Sequence, residues 1–224
     1  GLDSAGVKSM RTDLVVQTRP DFSLDLLSHL RHSGLFSSDY GAPDELLLHS
    51  GGPNSDLSKR SLMMGPATMR FIVRQTHDST PLRSSSPLTG DIALQAKASP
   101  MSIEIETWEN EWVPQNCVLG ADLASALRGL TSYLPEATGH SFQPGGLAGL
   151  LTYDLVQHTE PLRLQHTSEP DTVLMILYRA DRWVVHNRED STIEILSSIE
   201  DDPWTLEVCQ QIENGIPSRN LPSS

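Results

Sequence analysis

The sequence predicts an α+β fold: two packed, mainly antiparallel β-sheets with a few helices on their outer faces. Three observations lead there. Extended segments outnumber helical ones, and the two kinds do not alternate as a parallel sheet with crossover helices requires. Ile103-Glu104-Ile105-Glu106-Thr107-Trp108 alternates apolar and acidic residues, the pattern of a strand with one wet face and solvated glutamates. Three short β-rich runs, 172–178, 182–187 and 192–196, follow one another with turn-like Arg179-Ala180-Asp181 and Arg188-Glu189-Asp190 between them, as in a meander.

Taken in order, residues 1–9 read as an unstructured leader and 10–215 as one domain. Residues 216–224, rich in Pro, Ser and Asn, read as a linker. Residues 12–19 alternate enough for a first strand, which Pro20 ends because proline cannot donate to a ladder. Asp21 then caps a helix with Phe22, Leu26, Leu27 and Leu30 at helical spacing, and Gly34 suits the left-handed position after its last turn. Glu45–His49 is a short strand. Ser61–Met64 and Met69–Val73 are extended segments broken at Gly65-Pro66, hence one bent strand or a tight pair. Residues 76–87 form a Ser/Thr/Pro-rich loop. Asp122 caps a helix striped by Leu123, Leu127, Leu130 and Leu134 and ended by Pro135. A last helix opens at Asp202-Pro203-Trp204, with Leu206, Val208 and Cys209 partly inward and Gly215 as its stop.

The central stretch is Phe142–Leu155. Glycines set a turn, and the apolar run from Leu147 to Tyr153 reads as a strand through a buried layer. Gly149 inside that run predicts close approach of another backbone or of a ligand.

Composition excludes several functions. Asp and Glu outnumber Lys and Arg by 29 to 16 over 224 residues, a formal charge of -13, so a nucleic-acid backbone or an anionic membrane is repelled overall. Apolar runs fall far short of the ~20 residues of a membrane span. Cys117 and Cys209 lack a CxxC context, and both are expected as free thiols in a reducing compartment. His29 and His32 share a helical face but have no HExxH pattern, so no metal is indicated. Gly145 to Gly149 is too short for a dinucleotide fingerprint. Tyr153, Asp154 and Glu160 could do acid–base work. The plainer reading is a core tyrosine and carboxylates that hold a turn.

The block Phe142-Gln143-Pro144-Gly145-Gly146-Leu147-Ala148-Gly149, followed by Tyr153-Asp154 and Glu160, resembles the PFxGGxxGxxxYDxxxxxE block of component I of chorismate-aminating synthases, with Gln143 inserted. These are anthranilate synthase and aminodeoxychorismate (para-aminobenzoate) synthase. Leu47-Leu48-His49-Ser50-Gly51 is similar to the LLxS element that lines their tryptophan pocket, and Ser58–Gly65 to their SRYSFIG strand. Asp181-Arg182 before Val184-Val185 also fits. His49 stands where anthranilate synthases usually carry Glu, which favours the aminodeoxychorismate enzymes. Lys59 replaces the family's usual Arg and Arg60 its Tyr.

The resemblance implies the N-terminal, regulatory and structural domain of a cytoplasmic component I. Leu48, His49, Ser50, Lys59 and Ser61 would line a tryptophan pocket, and Gly145, Gly146, Gly149, Tyr153, Asp154 and Glu160 would form a structural motif. None of these residues is expected to be catalytic. The chorismate site and its Mg2+ would lie in a C-terminal half beyond Ser224, so this chain alone is expected to be inactive and to need no cofactor. Its expected partners are that half and a glutamine amidotransferase. Two rival readings are a stand-alone amino-acid-binding or protein-interaction module, and an α+β hydrolase using Asp154 with a histidine.

Overall fold

A computed structural model describes residues 8–12, 22–51, 58–76, 100–135, 144–158 and 171–218. Among these residues ten strands form two five-stranded antiparallel sheets. The first sheet has the order β1 (Lys8–Thr12), β10 (Thr192–Ser197), β9 (Arg182–Asn187), β3 (Arg60–Met64), β2 (Leu46–Leu48). The second has β6 (Trp112–Gly120), β5 (Met101–Trp108), β4 (Met69–Gln75), β8 (Val173–Ala180), β7 (Gly146–Leu151). Helices α1 (Phe22–His32) and α3 (Pro203–Glu213) cover the first sheet, and α2 (Leu123–Arg128) covers the second.

Three apolar clusters hold these layers. Phe22, Leu26 and Leu30 of α1 and Trp204, Val208 and Ile212 of α3 pack on Met63, Val184, Ile193 and Ile195 of the first sheet. Ala126 of α2 and Leu130 pack on Phe71, Val73, Ile103, Ile105 and Leu174 of the second. Between the sheets, Met64, Trp183, Val185 and Leu196 meet Trp112, Ala148 and Tyr178. Successive strand residues face opposite ways, so each central strand feeds an outer cluster with one face and the inter-sheet layer with the other. The α+β class and the two packed antiparallel sheets are therefore present. Among the described residues no helix is long and apolar enough to cross a membrane.

Local signals explain the helix ends. Asp122 accepts from the Ser125 N–H at 2.7 Å, and the Ser125 hydroxyl serves the Asp122 N–H in return, closing a capping box. A 3-10 turn, Thr131–Tyr133, continues the Leu123–Leu134 stripe that the sequence presents as a single helix. Pro203 opens α3 behind the Asp202 cap, and Gly215, at φ 92°, terminates it. Gly34, at φ 78°, follows α1 as expected. The predicted cap Asp21 lies outside the described residues.

Several expectations are corrected. Lys8 and Ser9, read as leader, pair with Ser197 and Leu196 in β1. The first strand expected over 12–19 lies, apart from Thr12, outside the described residues, as does nearly all of the 76–87 loop. β3 and β4 are neither a bent strand nor a pair, because the chain changes sheets at Gly65-Pro66. The run after residue 172 is no meander either: β8 belongs to the second sheet and β9 to the first, so only β9 and β10 form a hairpin. Both changes of sheet occur at one place, where the Gly65 N–H donates to the Arg182 carbonyl at 3.0 Å. A Cβ on Gly65 would lie 2.8 Å from the Trp204 ring, so only glycine fits there.

β6 escaped the sequence reading because Pro114 and polar residues break its pattern. It is an edge strand, and a register shift opposite Ile105/Glu106 accommodates the proline, whose missing N–H costs no ladder bond on the open side. Glu106, read as solvated, is buried at 9% exposure and ion-paired with Arg70, whose guanidinium lies 4.5 Å from the Trp112 ring centroid. Leu206, read as partly inward, is exposed on α3.

The largest correction concerns β7. Leu147, Leu150 and Leu151 are exposed, and Tyr153, read as a core anchor, is 82% exposed. An apolar run marks burial only when both faces of the strand are covered, and β7 is the last strand of its sheet. Gly149 behaves as expected: a Cβ there would lie 2.0 Å from the Ile176 carbonyl oxygen on β8, so the close neighbour is backbone.

Candidate functional site

β2 ends in Leu48, and the chain turns through His49, Ser50 and Gly51 before returning through Lys59 into β3. Leu46–Leu48 pair in register with Leu62–Met64, which sets Ser50 beside the start of β3. The Ser50 N–H donates to Ser61 Oγ at 3.0 Å, and the Ser50 hydroxyl donates to the Arg60 carbonyl at 2.6 Å. Ser50 Oγ has thereby spent its hydrogen and keeps a lone pair for an incoming donor. Ser61 Oγ receives a hydrogen and can still give its own.

Ser61 is 2% exposed, and its strand partner across the ladder is His186 on β9. The two side chains share the face covered by α1. His186 Nδ1 lies 3.2 Å from the hydroxyl of Ser23, in the first turn of α1, and the Phe22 ring stands edge-on to the imidazole at 5.0 Å. Burial, joined by the charges of Arg188 and His49, pushes His186 down to about 4, so the ring is neutral near pH 7. Its Nε2 is buried and has no hydrogen-bond partner among the described residues. Sequence reasoning missed His186 and Ser23. The available signal was a lone polar residue continuing the apolar run Trp183-Val184-Val185.

The five predicted pocket residues form one neighbourhood with unequal exposure. Leu48 is 51% exposed and, through its pairing with Leu62, lies toward the inter-sheet side. His49 is exposed and folds back over Gly51, where a Cβ would lie 2.5 Å from His49 Nε2. The Lys59 ammonium sits 3.5 Å from Glu189 at the rim, in an exposed pair that adds little stability. Ser61 is buried. Arg188 closes the same rim, its N–H donating to the Lys59 carbonyl at 2.8 Å and its guanidinium to the Ser58 carbonyl at 3.0 Å.

The glycine motif lies elsewhere, on the second sheet. Gly145, at φ 85°, donates its N–H to the Ala180 carbonyl at 2.7 Å and starts β7, to which Gly146 and Gly149 belong. Tyr153 and Asp154 open a 3-10 segment, Tyr153–His158. Glu160 lies outside the described residues. Among those residues no hydrogen bond joins Asp154 to a histidine, and no group of three or more His, Cys, Asp or Glu side chains could hold a metal ion. Cys117 is exposed, and Cys209 is buried with its Sγ 3.6 Å from Glu213 Oε1.

The Ser50–Ser61–His186 neighbourhood can recognise a small polar group at a strand end. It offers one acceptor at Ser50, a donor at Ser61 and an imidazole nitrogen without a partner among the described residues, with Leu47 on the same side of the sheet. Catalysis is poorly served there. Ser23 and His186 are both buried, and a histidine held near 4 is a weak base toward the Ser23 hydroxyl. No protein-family model matches the chain, and a search of curated proteins finds no match.

Proposed function

We propose that this chain is the N-terminal domain of component I of a chorismate-utilising synthase, aminodeoxychorismate synthase in preference to anthranilate synthase. In this reading it supports the catalytic half, docks the glutamine amidotransferase and forms a tryptophan pocket. The observation that carries it is the β2–β3 hairpin. The residues that resemble the LLxS and SRYSFIG elements are adjacent strands, and Ser50 and Ser61 are joined across them by a 3.0 Å hydrogen bond.

The chemistry suits an amino acid. A ligand ammonium can donate to the lone pair of Ser50 Oγ, and its carboxylate can accept from the Ser61 hydroxyl. An indole can lie against Leu47, which pairs with Met63 on the same side of the sheet as Ser61. Mg2+ and chorismate belong, in this proposal, to the catalytic half. The residues described here do not assemble a metal site, so no step of amination runs through them. A second observation supports the docking role: Leu147, Leu150, Leu151 and Tyr153 present an exposed apolar strand edge of the kind that mates with another protein surface.

Calorimetric titration with L-tryptophan tests the pocket. Heat is expected from the wild type, with at least tenfold weaker binding in Ser50→Ala and Ser61→Ala, roughly the value of a hydrogen bond to a charged group. A wild type that gives no heat overturns the reading.

A further inference from the structure

We propose that His186 is a further ligand-binding residue of the Ser50–Ser61 pocket and that, with the Ser61 hydroxyl, it forms the receptor for the carboxylate of an α-amino acid. The inference rests on the pocket reading above and adds a residue and a chemical group to it.

The argument begins with an energetic oddity. His186 is 4% exposed, and among the described residues its Nε2 has no partner, although buried ring nitrogens almost always find one. Leaving such an atom unpaired is costly, and a histidine that served only to fill space could be replaced by leucine or phenylalanine at a gain. Its other nitrogen is held. The Ser23 hydroxyl can give or take the hydrogen at Nδ1; when it gives, the neutral ring carries its own hydrogen on Nε2, a donor in want of an acceptor.

The surroundings select an anion as that acceptor. Ser61, directly across the ladder, keeps a hydroxyl hydrogen to give, so two donors lie on one face of neighbouring strands. Phe22 and Ser23 place the first turn of the eleven-residue α1, the positive end of its dipole, against the imidazole. Arg188 and His49 each act on His186 as positive charges. The charges that act on His186 are Arg188 at its own strand's exit and His49 on the β2 turn, while Lys59 pairs with Glu189 nearby. A carboxylate also fits the division of labour: Ser50 Oγ, already a spent donor, takes the ammonium of the same ligand.

The test compares L-tryptophan with L-tryptophanamide, which keeps the indole and ammonium and loses the charge. Wild-type protein is expected to bind the acid at least about tenfold more tightly than the amide, and His186→Phe to bind both alike, with its fold checked by thermal melting. Because His186→Phe could fail to fold, the wild type is also followed by 15N NMR of the imidazole. The Nε2 resonance should move on addition of L-tryptophan and stay with the amide. Equal binding of acid and amide by the wild type, or an Nε2 signal indifferent to L-tryptophan that does bind, overturns this proposal alone. Binding of neither ligand overturns the pocket and this proposal together.

Discussion

Arg182 grips Asp202 with two nitrogens, Nε to Oδ2 at 2.7 Å and Nη2 to Oδ1 at 3.0 Å, and both side chains are almost wholly buried. The remaining Arg182 nitrogen donates to the carbonyls of Tyr40 and Pro66, while Asp202 caps α3 and accepts from Ser197. One ion pair thus ties together the start of β9, the end of β10, the mouth of α3 and the Gly65-Pro66 change of sheet.

Arg182→Met should destabilise the protein by about 3–5 kcal/mol, since it strands a buried carboxylate and two buried carbonyls. Urea unfolding followed by tryptophan fluorescence measures this. A loss under about 1 kcal/mol would show that the pair does not hold the crossing.

Stability should fall in two steps as pH drops. His186 is depressed from 6.5 to about 4, so its contribution is complete above pH 6.5 and is lost as pH falls toward 4, where the unfolded chain takes up a proton that the folded protein refuses. The size is about 3 kcal/mol. Burial raises Asp202, but hydrogen bonds from Arg182 and Ser197 and the charge of Arg182 outweigh it and leave the carboxyl below its usual value. Its contribution holds above the ordinary aspartate range and disappears only at lower pH. Denaturation midpoints of wild type and His186→Phe between pH 7 and 4 check the first step, which the variant should lack.

Gly149→Val should cost more than about 2 kcal/mol, because its Cβ meets the Ile176 carbonyl at 2.0 Å and the β7–β8 ladder must open to admit it. An unchanged melting temperature would exclude that contact. Gly34→Ala is the contrast: a Cβ at Gly34 meets nothing within 4 Å, and the strain of its φ of 78° alone should cost about 1 kcal/mol.

Leu150→Lys with Leu151→Lys should leave stability within about 1 kcal/mol and abolish concentration-dependent association. Both residues are more than half exposed on an edge strand, so nothing in the core is lost. Sedimentation at two concentrations reads the result. Equal association of wild type and variant would remove the β7 edge from consideration as a contact surface.

Much of the chain's local structure could be read directly. Asp122, Asp202-Pro203, Gly34 and Gly215 mark helix ends through capping and left-handed geometry, effects that act within a few residues. Gly149 announced a close neighbour, backbone or ligand, and Glu45–His49 was legible as a short strand, whereas its pairing with β3 was not.

Tertiary structure alone decided which layer each strand joins and what each face meets. Phe71 and Leu150 sit in equally apolar runs, yet Phe71 is wholly buried in a central strand and Leu150 is 66% exposed on an edge. Gly65-Pro66 reads as a bend, and only the approach of Trp204 turns it into a change of sheet. Glu106 reads as solvated until Arg70 and Trp112 close over it. His186 acquires its partner Ser23 across 163 residues of chain. Caps and turns are set by neighbours in sequence, whereas burial and the pairing of distant polar groups depend on which surfaces the folded layers bring face to face.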